Sequence, residues 1–340
     1  MRLLSGAIIE AIILEYGTEE VLRRFADPVW FQAFGSVLGF DWHSSGLTTV
    51  VLGAFKESWA DRAAEYGLFV AGGKGKASRK TPEEIDQAGS RHALGLNAPA
   101  LIGASRLAAK VDSGLVQDGY DLYHHVFLFD REGRWTVVQQ GMHQENHLAR
   151  RYHWLSATVH DFTLSPHQGI AGTREQAVLD LTAPAHEPVH QHSLDLLQQP
   201  ESTLLTLRKL YEGQDGSRHL EMPRYHQVPS PSYFNKVLFK AYEAQPQAYQ
   251  ELVALPGVGA STLRALAMVS EVVHGAELTF QDPVRYSFAH GGKDGTPFPV
   301  RRPDYEATIA ALESAINHAR LGELDKMKAF RRLGSLPGAI

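Results

Sequence analysis

Seventeen histidines in 340 residues give this chain a large stock of side chains that exchange protons near neutral pH and bind metal ions. The first concentration of reactive groups is Phe40-Asp41-Trp42-His43-Ser44-Ser45-Gly46-Leu47-Thr48-Thr49, where polar side chains stand between large aromatics. Burying them costs free energy unless each finds a partner. Asp41 and His43 have the chemistry of catalytic groups and of ligands for a divalent metal ion. Ser44 and Ser45 suit phosphate contact, or equally the N-cap of a helix expected from about Leu47 to Trp59. The second concentration is His124-His125 and Gln139-Gln140, on two segments with strand patterning. Neighbours on a strand point to opposite faces, so at most one of each pair enters a given cleft. His153, a further catalytic candidate beside these four, and Arg150 and Arg151, expected to neutralise phosphates, follow closely and would complete such a cleft. Polar residues on the wet face of a sheet would give the same pattern.

Three further stretches suit phosphate. Gly72-Gly73-Lys74-Gly75-Lys76-Ala77-Ser78-Arg79-Lys80-Thr81 is a glycine-rich cationic loop, with Lys74 and Lys76 as expected contacts. Its spacing is not that of a P-loop. In Leu255-Pro256-Gly257-Val258-Gly259-Ala260-Ser261-Thr262-Leu263-Arg264-Ala265-Leu266-Ala267 an apolar helix end runs through Gly-x-Gly into a second helix. Gly257 and Gly259 let the chain turn tightly, and the amide N–H groups of the next helix, with Ser261 and Thr262, face a phosphate. This is the layout of a helix-hairpin-helix, which grips nucleic-acid backbone without reading bases. A dinucleotide fingerprint would need a preceding strand and a third glycine. His290 and Lys293, in His290-Gly291-Gly292-Lys293, echo the first cationic loop.

Together these residues predict a DNA-processing enzyme, most simply a metal-dependent nuclease using Mg2+ or Mn2+ and no organic cofactor. Gln139 or Gln140 stands where a restriction-type metal site would place a carboxylate, so histidine-based cleavage without a metal also fits. Two other readings compete. Asp282 lies 25 positions after Gly257, the spacing of a monofunctional helix-hairpin-helix glycosylase, although it also suits a helix cap before Pro283. A DNA-binding protein without chemistry would use the same cationic loops for phosphate alone. The partner is DNA, single- or double-stranded, and a homodimer is compatible with a duplex substrate.

Composition bounds these readings. Net charge is −5, so a nucleic-acid footprint must be a local basic patch. No cysteine is present, which removes disulfides, thiolate metal sites and a cysteine nucleophile and fits a cytoplasmic protein. The apolar run Ala7–Leu14 is interrupted by Glu10 and reads as an amphipathic helix, and no segment approaches a membrane span. Patterning predicts a mixed α+β fold. Helices over 3–38 and to about Val111 surround a hairpin, Leu122–Phe129 and Trp135–Gln140 about a turn at 130–134. A hairpin needs further strands, expected at 67–71 and at Thr158–Phe162. A small, mainly antiparallel sheet thus belongs to an α/β catalytic domain, 1–182. A linker at 183–192, rich in proline and histidine, leads to a helical domain, 193–340, containing the hairpin at 255–267.

Phe40–Thr49, Ala71–Thr81, Tyr123–Gln140, Ala149–Trp154, Leu255–Ala267 and Asp282–Pro299 together resemble the domain of unknown function 763 family of archaea and bacteria. The resemblance spans nearly the whole chain. It implies an association with DNA repair or nuclease activity, and an extra segment before the first helix. The chain opens at Met1-Arg2-Leu3-Leu4, inside what reads as that helix, so the family's N-terminal segment is expected to be missing here.

Overall fold

The computed structural model describes residues 1–40, 46–92, 95–212, 229–287 and 302–336. Asp41, His43, Ser44, Ser45, His290 and Lys293 lie outside the described residues. Four helices open the chain: α1 (Arg2–Tyr16), α2 (Thr18–Ala26), α3 (Pro28–Val37) and α4 (Leu47–Trp59). Asp27 caps α3, accepting from the N–H groups of Val29 and Trp30, and Pro28 takes the first helical position. A single-turn α5 (Ala63–Tyr66) leads into β1 (Leu68–Lys74), a 3-10 turn (Gly75–Lys80), α6 (Thr81–His92) and α7 (Ala98–Gly114). The strands that follow are β2 (Val116–Gln117), β3 (Tyr120–Asp130), β4 (Trp135–His143), β5 (Ala149–Leu155), β6 (His167–Ala171) and β7 (Leu179–Asp180). The rest is helical: α8 (Glu187–Leu197), α9 (Pro200–Tyr211), α10 (Pro231–Ala244), α11 (Tyr249–Ala254), α12 (Ala260–His274), α13 (Arg302–His318) and α14 (Glu323–Leu333). No described helix is long and apolar enough to cross a membrane.

The fold is mixed α+β, built on a five-stranded antiparallel sheet of order β1-β3-β4-β5-β6; β2 and β7 pair separately. The predicted hairpin forms β3 and β4. Its turn is fixed by the buried Asp130 carboxylate, which accepts from the N–H groups of Glu132 and Arg134 and from Arg134 Nε. The supporting strand at 67–71 is β1. The strand expected at Thr158–Phe162 does not form, because a 3-10 turn at Ser156–Thr158 ends β5 and β6 fills the edge instead.

Both faces of the sheet are covered, so its strands carry apolar residues at successive positions. On one face Phe69, Phe127, Phe129, Trp135, Val137 and Trp154 pack against α6, α7 and the helices from α8 to α12. On the other, Leu68, Val126, Leu128 and Val138 pack under α1 to α4, with α13 and α14. The segment 183–192, read as a linker, is a 3-10 turn and the start of α8. Pro184 and Pro188 begin these elements rather than breaking them. His186 and His190 are buried there, each ring bonded to a backbone carbonyl, of Asp180 and of Leu181. The core runs on from the sheet into these helices. Pro200 separates α8 from α9, and the left-handed Gln245 (φ 47°) ends α10 before α11.

Candidate active site

The pairing register aligns Lys74 with His124, His124 with Gln140 and Gln140 with Arg151, on four successive strands. Partners directly across a ladder share a face, so Lys, His, Gln and Arg form one polar row, each step ~5 Å wide. The row lies at the end of the sheet where β1 runs into the cationic 3-10 turn. A bulge in β3 between Leu122 and His124 lets Tyr123 join it. The Tyr123 hydroxyl accepts from Gln140 Nε2, and the Lys74 ammonium sits 5.8 Å from the Tyr123 ring centre. At the far end of the row Arg151 lies 4.6 Å from the Phe31 ring and donates to the Gln32 side chain, the Thr48 hydroxyl and the Pro28 carbonyl. Thr48 belongs to the first turn of α4, so the row reaches the helix that follows the Asp41–Ser45 stretch.

His124 is 2% exposed, and neither ring nitrogen has a hydrogen-bond partner among the described residues. Burial, helped by the neighbouring His125 and Lys74, drives its pKa down to about 4. The imidazole is therefore neutral at pH 7 and carries an unused lone pair. Buried polar groups are nearly always paired, so one left open calls for an explanation, and a catalytic role is one that fits an imidazole.

The adjacent row on the opposite face is closed. His125 Nδ1 donates to Gln139 Oε1 (2.8 Å), which leaves Nε2 to accept from the Ser105 hydroxyl (2.8 Å). Gln139 Nε2 donates to Asp112, whose carboxylate also takes Trp154 Nε1 (3.0 Å) and His167 Nε2 (2.5 Å). Ser105 and Asp112 come from α7, spaced seven apart and so on one helix face. Burial lowers the His125 pKa against the pull of Gln139 and Asp112. Sequence reasoning missed Ser105 and Asp112; two polar residues in an otherwise apolar helix face were their sole signal.

Several residues expected to be reactive are instead committed to the fold. His153 is wholly buried, its Nδ1 on the Phe25 carbonyl (2.8 Å) and its Nε2 accepting from Arg151 Nε (2.7 Å). Burial and Arg151 hold it well below the usual histidine range. Arg150, expected at a phosphate, is 0% exposed between Asp118 (3.0 Å) and Asp282 (2.6 Å), over the Tyr120 ring. Asp118, raised by burial to about 6 against the pull of Arg150, also accepts from the Tyr152 hydroxyl (2.6 Å). The Asp282 carboxylate takes Arg150 and the N–H groups of Glu175 and Val284, so it is an ion-paired group that ties two loops together rather than an open carboxylate. The described residues that directly follow it form no helix for it to cap.

Lys74 and Lys76 are exposed on β1 and the 3-10 turn. The turn leaves the sheet through Gly72 at φ +93°, where an added Cβ would lie 2.2 Å from the His125 carbonyl oxygen. A Lys56–Glu84 pair (2.6 Å) clamps the same residue, Lys56 on its carbonyl and Glu84 on its N–H. Farther along, α11 and α12 are joined by Leu255–Gly259, with Gly257 at φ +92° and no side-chain cap on α12. Ser261 and Arg264 of α12 line a cavity of about 550 Å3 with Gln117, Asp118, Tyr120 and His143. Thr262 is buried, with no partner for its hydroxyl among the described residues, so its side chain is placed inside the packing and not on the turn's surface. Among the described residues no group of three or more His, Asp or Glu side chains is arranged to hold a metal ion. Asp41 and His43 are not among those residues.

The architecture is that of an α+β protein with helices on both faces of a five-stranded antiparallel sheet and, at one end of it, a polar row that is buried from His124 to Arg151 and reaches the surface at Lys74. The chain belongs to the family described as "Protein of unknown function (DUF763)", whose sequence pattern matches residues 1–300. No curated protein and no solved structure matches it.

Proposed function

We propose that this protein is a nucleic-acid phosphodiesterase, most simply a nuclease acting on DNA, with its reactive centre at His124. The observation that carries this reading is the row Lys74–His124–Gln140–Arg151, in which a buried neutral imidazole, without a hydrogen-bond partner among the described residues, stands beside Lys74. A phosphate diester entering beside Lys74 pairs with its ammonium, which removes one of the charges depressing the imidazole. The phosphate's own negative charge raises the proton affinity further, toward the range where a histidine is an effective base. The imidazole then takes a proton from water, the water oxygen bonds to phosphorus, and the P–O ester bond breaks. The departing oxygen takes its proton from solvent. Lys74 and the cationic turn offset the charge that builds on the phosphate. Lys76 of that turn and the α11–α12 hairpin supply backbone grip. The glycosylase reading, which needs Asp282 open to substrate, has no such support.

The test is incubation of the full chain with end-labelled single-stranded, duplex and abasic DNA and with RNA, in Mg2+, Mn2+ or chelator. Cleavage abolished by His124→Gln, in a protein that still binds, is expected. Cleavage that survives the substitution sinks the assignment of His124. Binding without cleavage of any substrate leaves a backbone-binding protein and sinks the enzymatic reading. Loss of cleavage in chelator would bring a divalent ion into the same centre, with Asp41 and His43 the first ligands to substitute.

A further inference from the structure

Lys110, on α7, reaches out of its own helix into the hairpin between α11 and α12. Its ammonium nitrogen lies 3.1 Å from the carbonyl oxygen of Val253, 2.7 Å from that of Leu255 and 3.1 Å from that of Val258. An ammonium has three N–H donors, and all three are spent on this one turn. The last carbonyls of a helix have no partner within it, which explains why the carbonyl of Val253, in the final turn of α11, is free to accept from Lys110. A nearby side chain extends the same pattern: Gln117 donates to the carbonyl of Ala260 (2.9 Å) while holding the Gly114 carbonyl at the end of α7. The turn thus directs carbonyls toward α7 and β2. Burial lowers the Lys110 pKa, and no carboxylate ion pair is seen for it among the described residues.

Three carbonyl oxygens converging at such distances on one positive centre form the kind of shell that replaces water around a large monovalent cation. We propose that the hairpin is built around a cation site of its own carbonyls, and that Lys110 is the resident cation, tethered to α7. In this role it is a positioning residue. It holds the turn in the shape that presents the first N–H groups of α12, and it places a fixed positive charge behind them. A phosphate on those N–H groups is then bound without any need for a free ion, so the intact protein is indifferent to whether the salt is potassium, sodium or choline. Without the lysine, the carbonyl shell is a site for potassium. The phosphate part rests on reading the hairpin as a backbone grip; the cation site does not.

The experiment uses Lys110→Met in the full chain, with thermal unfolding and hydrogen exchange of the 255–262 amides in KCl, NaCl and choline chloride at equal ionic strength. Binding of a labelled single-stranded oligonucleotide is followed in the same salts. Wild type is expected to give the same melting temperature and the same amide protection in all three. The variant is expected to melt several degrees higher in KCl than in choline chloride, with protection of the hairpin amides restored by at least tenfold. Its oligonucleotide affinity, weakened tenfold or more in choline chloride, recovers in KCl. A variant whose melting and exchange ignore the cation overturns the proposal. Recovery of melting and exchange in KCl, with oligonucleotide affinity unaffected throughout, upholds the cation site and defeats the hairpin's role as a phosphate grip. Should Lys110→Met not fold, Lys110→Gln, which offers two donors and no charge, is taken through the same salts under the same criteria.

Discussion

His124 and His125 are neighbours in sequence, each faces a glutamine across the ladder, and they end in opposite conditions. On the α7 side, His125, Gln139, Ser105, Asp112, Trp154 and His167 form an unbroken chain of buried hydrogen bonds. On the side of α1 to α4, Gln140 turns to Tyr123, and neither nitrogen of His124 has a hydrogen-bond partner among the described residues. The difference lies in what covers each face. Helix α7 brings a serine and an aspartate over one row, while beside His124 stand Lys74 and a tyrosine displaced by a bulge. Identical residue types therefore split into a bonded pair and one histidine without a partner among the described residues, and the proposed chemistry is placed on the latter.

Substituting each histidine in turn separates the two rows most sharply. His124→Gln should lower a phosphodiesterase rate by ~10²–10⁴-fold, the usual contribution of a positioned acid or base, while moving stability by less than about 1 kcal/mol. His125→Gln should cost about 1–3 kcal/mol in urea unfolding, since Ser105 and Gln139 lose a matched partner, and leave the rate per folded molecule within a few-fold. Equal losses of rate in the two variants would erase the distinction between the faces.

Asp112 tests the closed row by itself. Three donors converge on its fully buried carboxylate, so Asp112→Ala leaves Gln139, Trp154 and His167 facing a cavity. The expected loss is about 3–5 kcal/mol in the free energy of urea unfolding, the scale for removing one member of a buried charged network. A loss below 1 kcal/mol would show that the chain of bonds is ornamental to stability.

Much of this arrangement could be read from the residues. The hairpin Leu122–Gln140 was visible through its alternation and its Asp-Arg-Glu-Gly-Arg turn, and with it the fact that His124 and His125 must part company. Which of them would be open was not visible, because that depends on Ser105, fixed by α7 twenty positions earlier. Arg150 and Arg151 looked like surface phosphate contacts because an isolated arginine in sequence carries no sign of its counter-charge. For Arg150 the counter-charges, Asp118 and Asp282, lie 32 and 132 positions away. His186 and His190 looked like linker residues for a similar reason: proline at a helix start and proline in a linker look alike until the packing is known.

The open histidine also leaves a mark on acid stability. Its folded pKa of about 4 lies below the ordinary 6.5, so the folded state holds fewer protons between these values than the unfolded chain. The stability tied to its neutral form is complete above pH 6.5 and is lost as pH falls through the window down to about 4. The full difference is ~3 kcal/mol. His125 and His153 shift in the same direction, so wild type declines steeply over the same range. Unfolding of His124→Gln between pH 7 and 4 should show a decline shallower by about that amount, and identical curves would place the His124 ring in a more solvated setting than the one seen here.

The smallest expected effect concerns the cationic turn that leaves the sheet beside the open row. Lys76 is exposed and makes no side-chain bond seen among the described residues, so Lys76→Ala should leave folding within about 0.5 kcal/mol of wild type. If this lysine meets a phosphate, its removal releases one fewer counterion, and the slope of log affinity against log salt falls by about 0.7 on single strands and 0.9 on duplex. Lys328 provides the control. It lies on α14 in a hollow shared with Met1, Leu4 and Arg332, within the helical layer that covers the sheet, and not on the turn that follows β1. Lys328→Ala should leave the salt slope unchanged. Should the two substitutions lower the slope equally, the attraction would belong to the general charge of the surface, and the turn next to His124 would lose its claim to place the substrate. A change confined to Lys76 ties the backbone grip to the same end of the sheet as the unpaired imidazole, where a bound diester would have to lie for His124 to act on it.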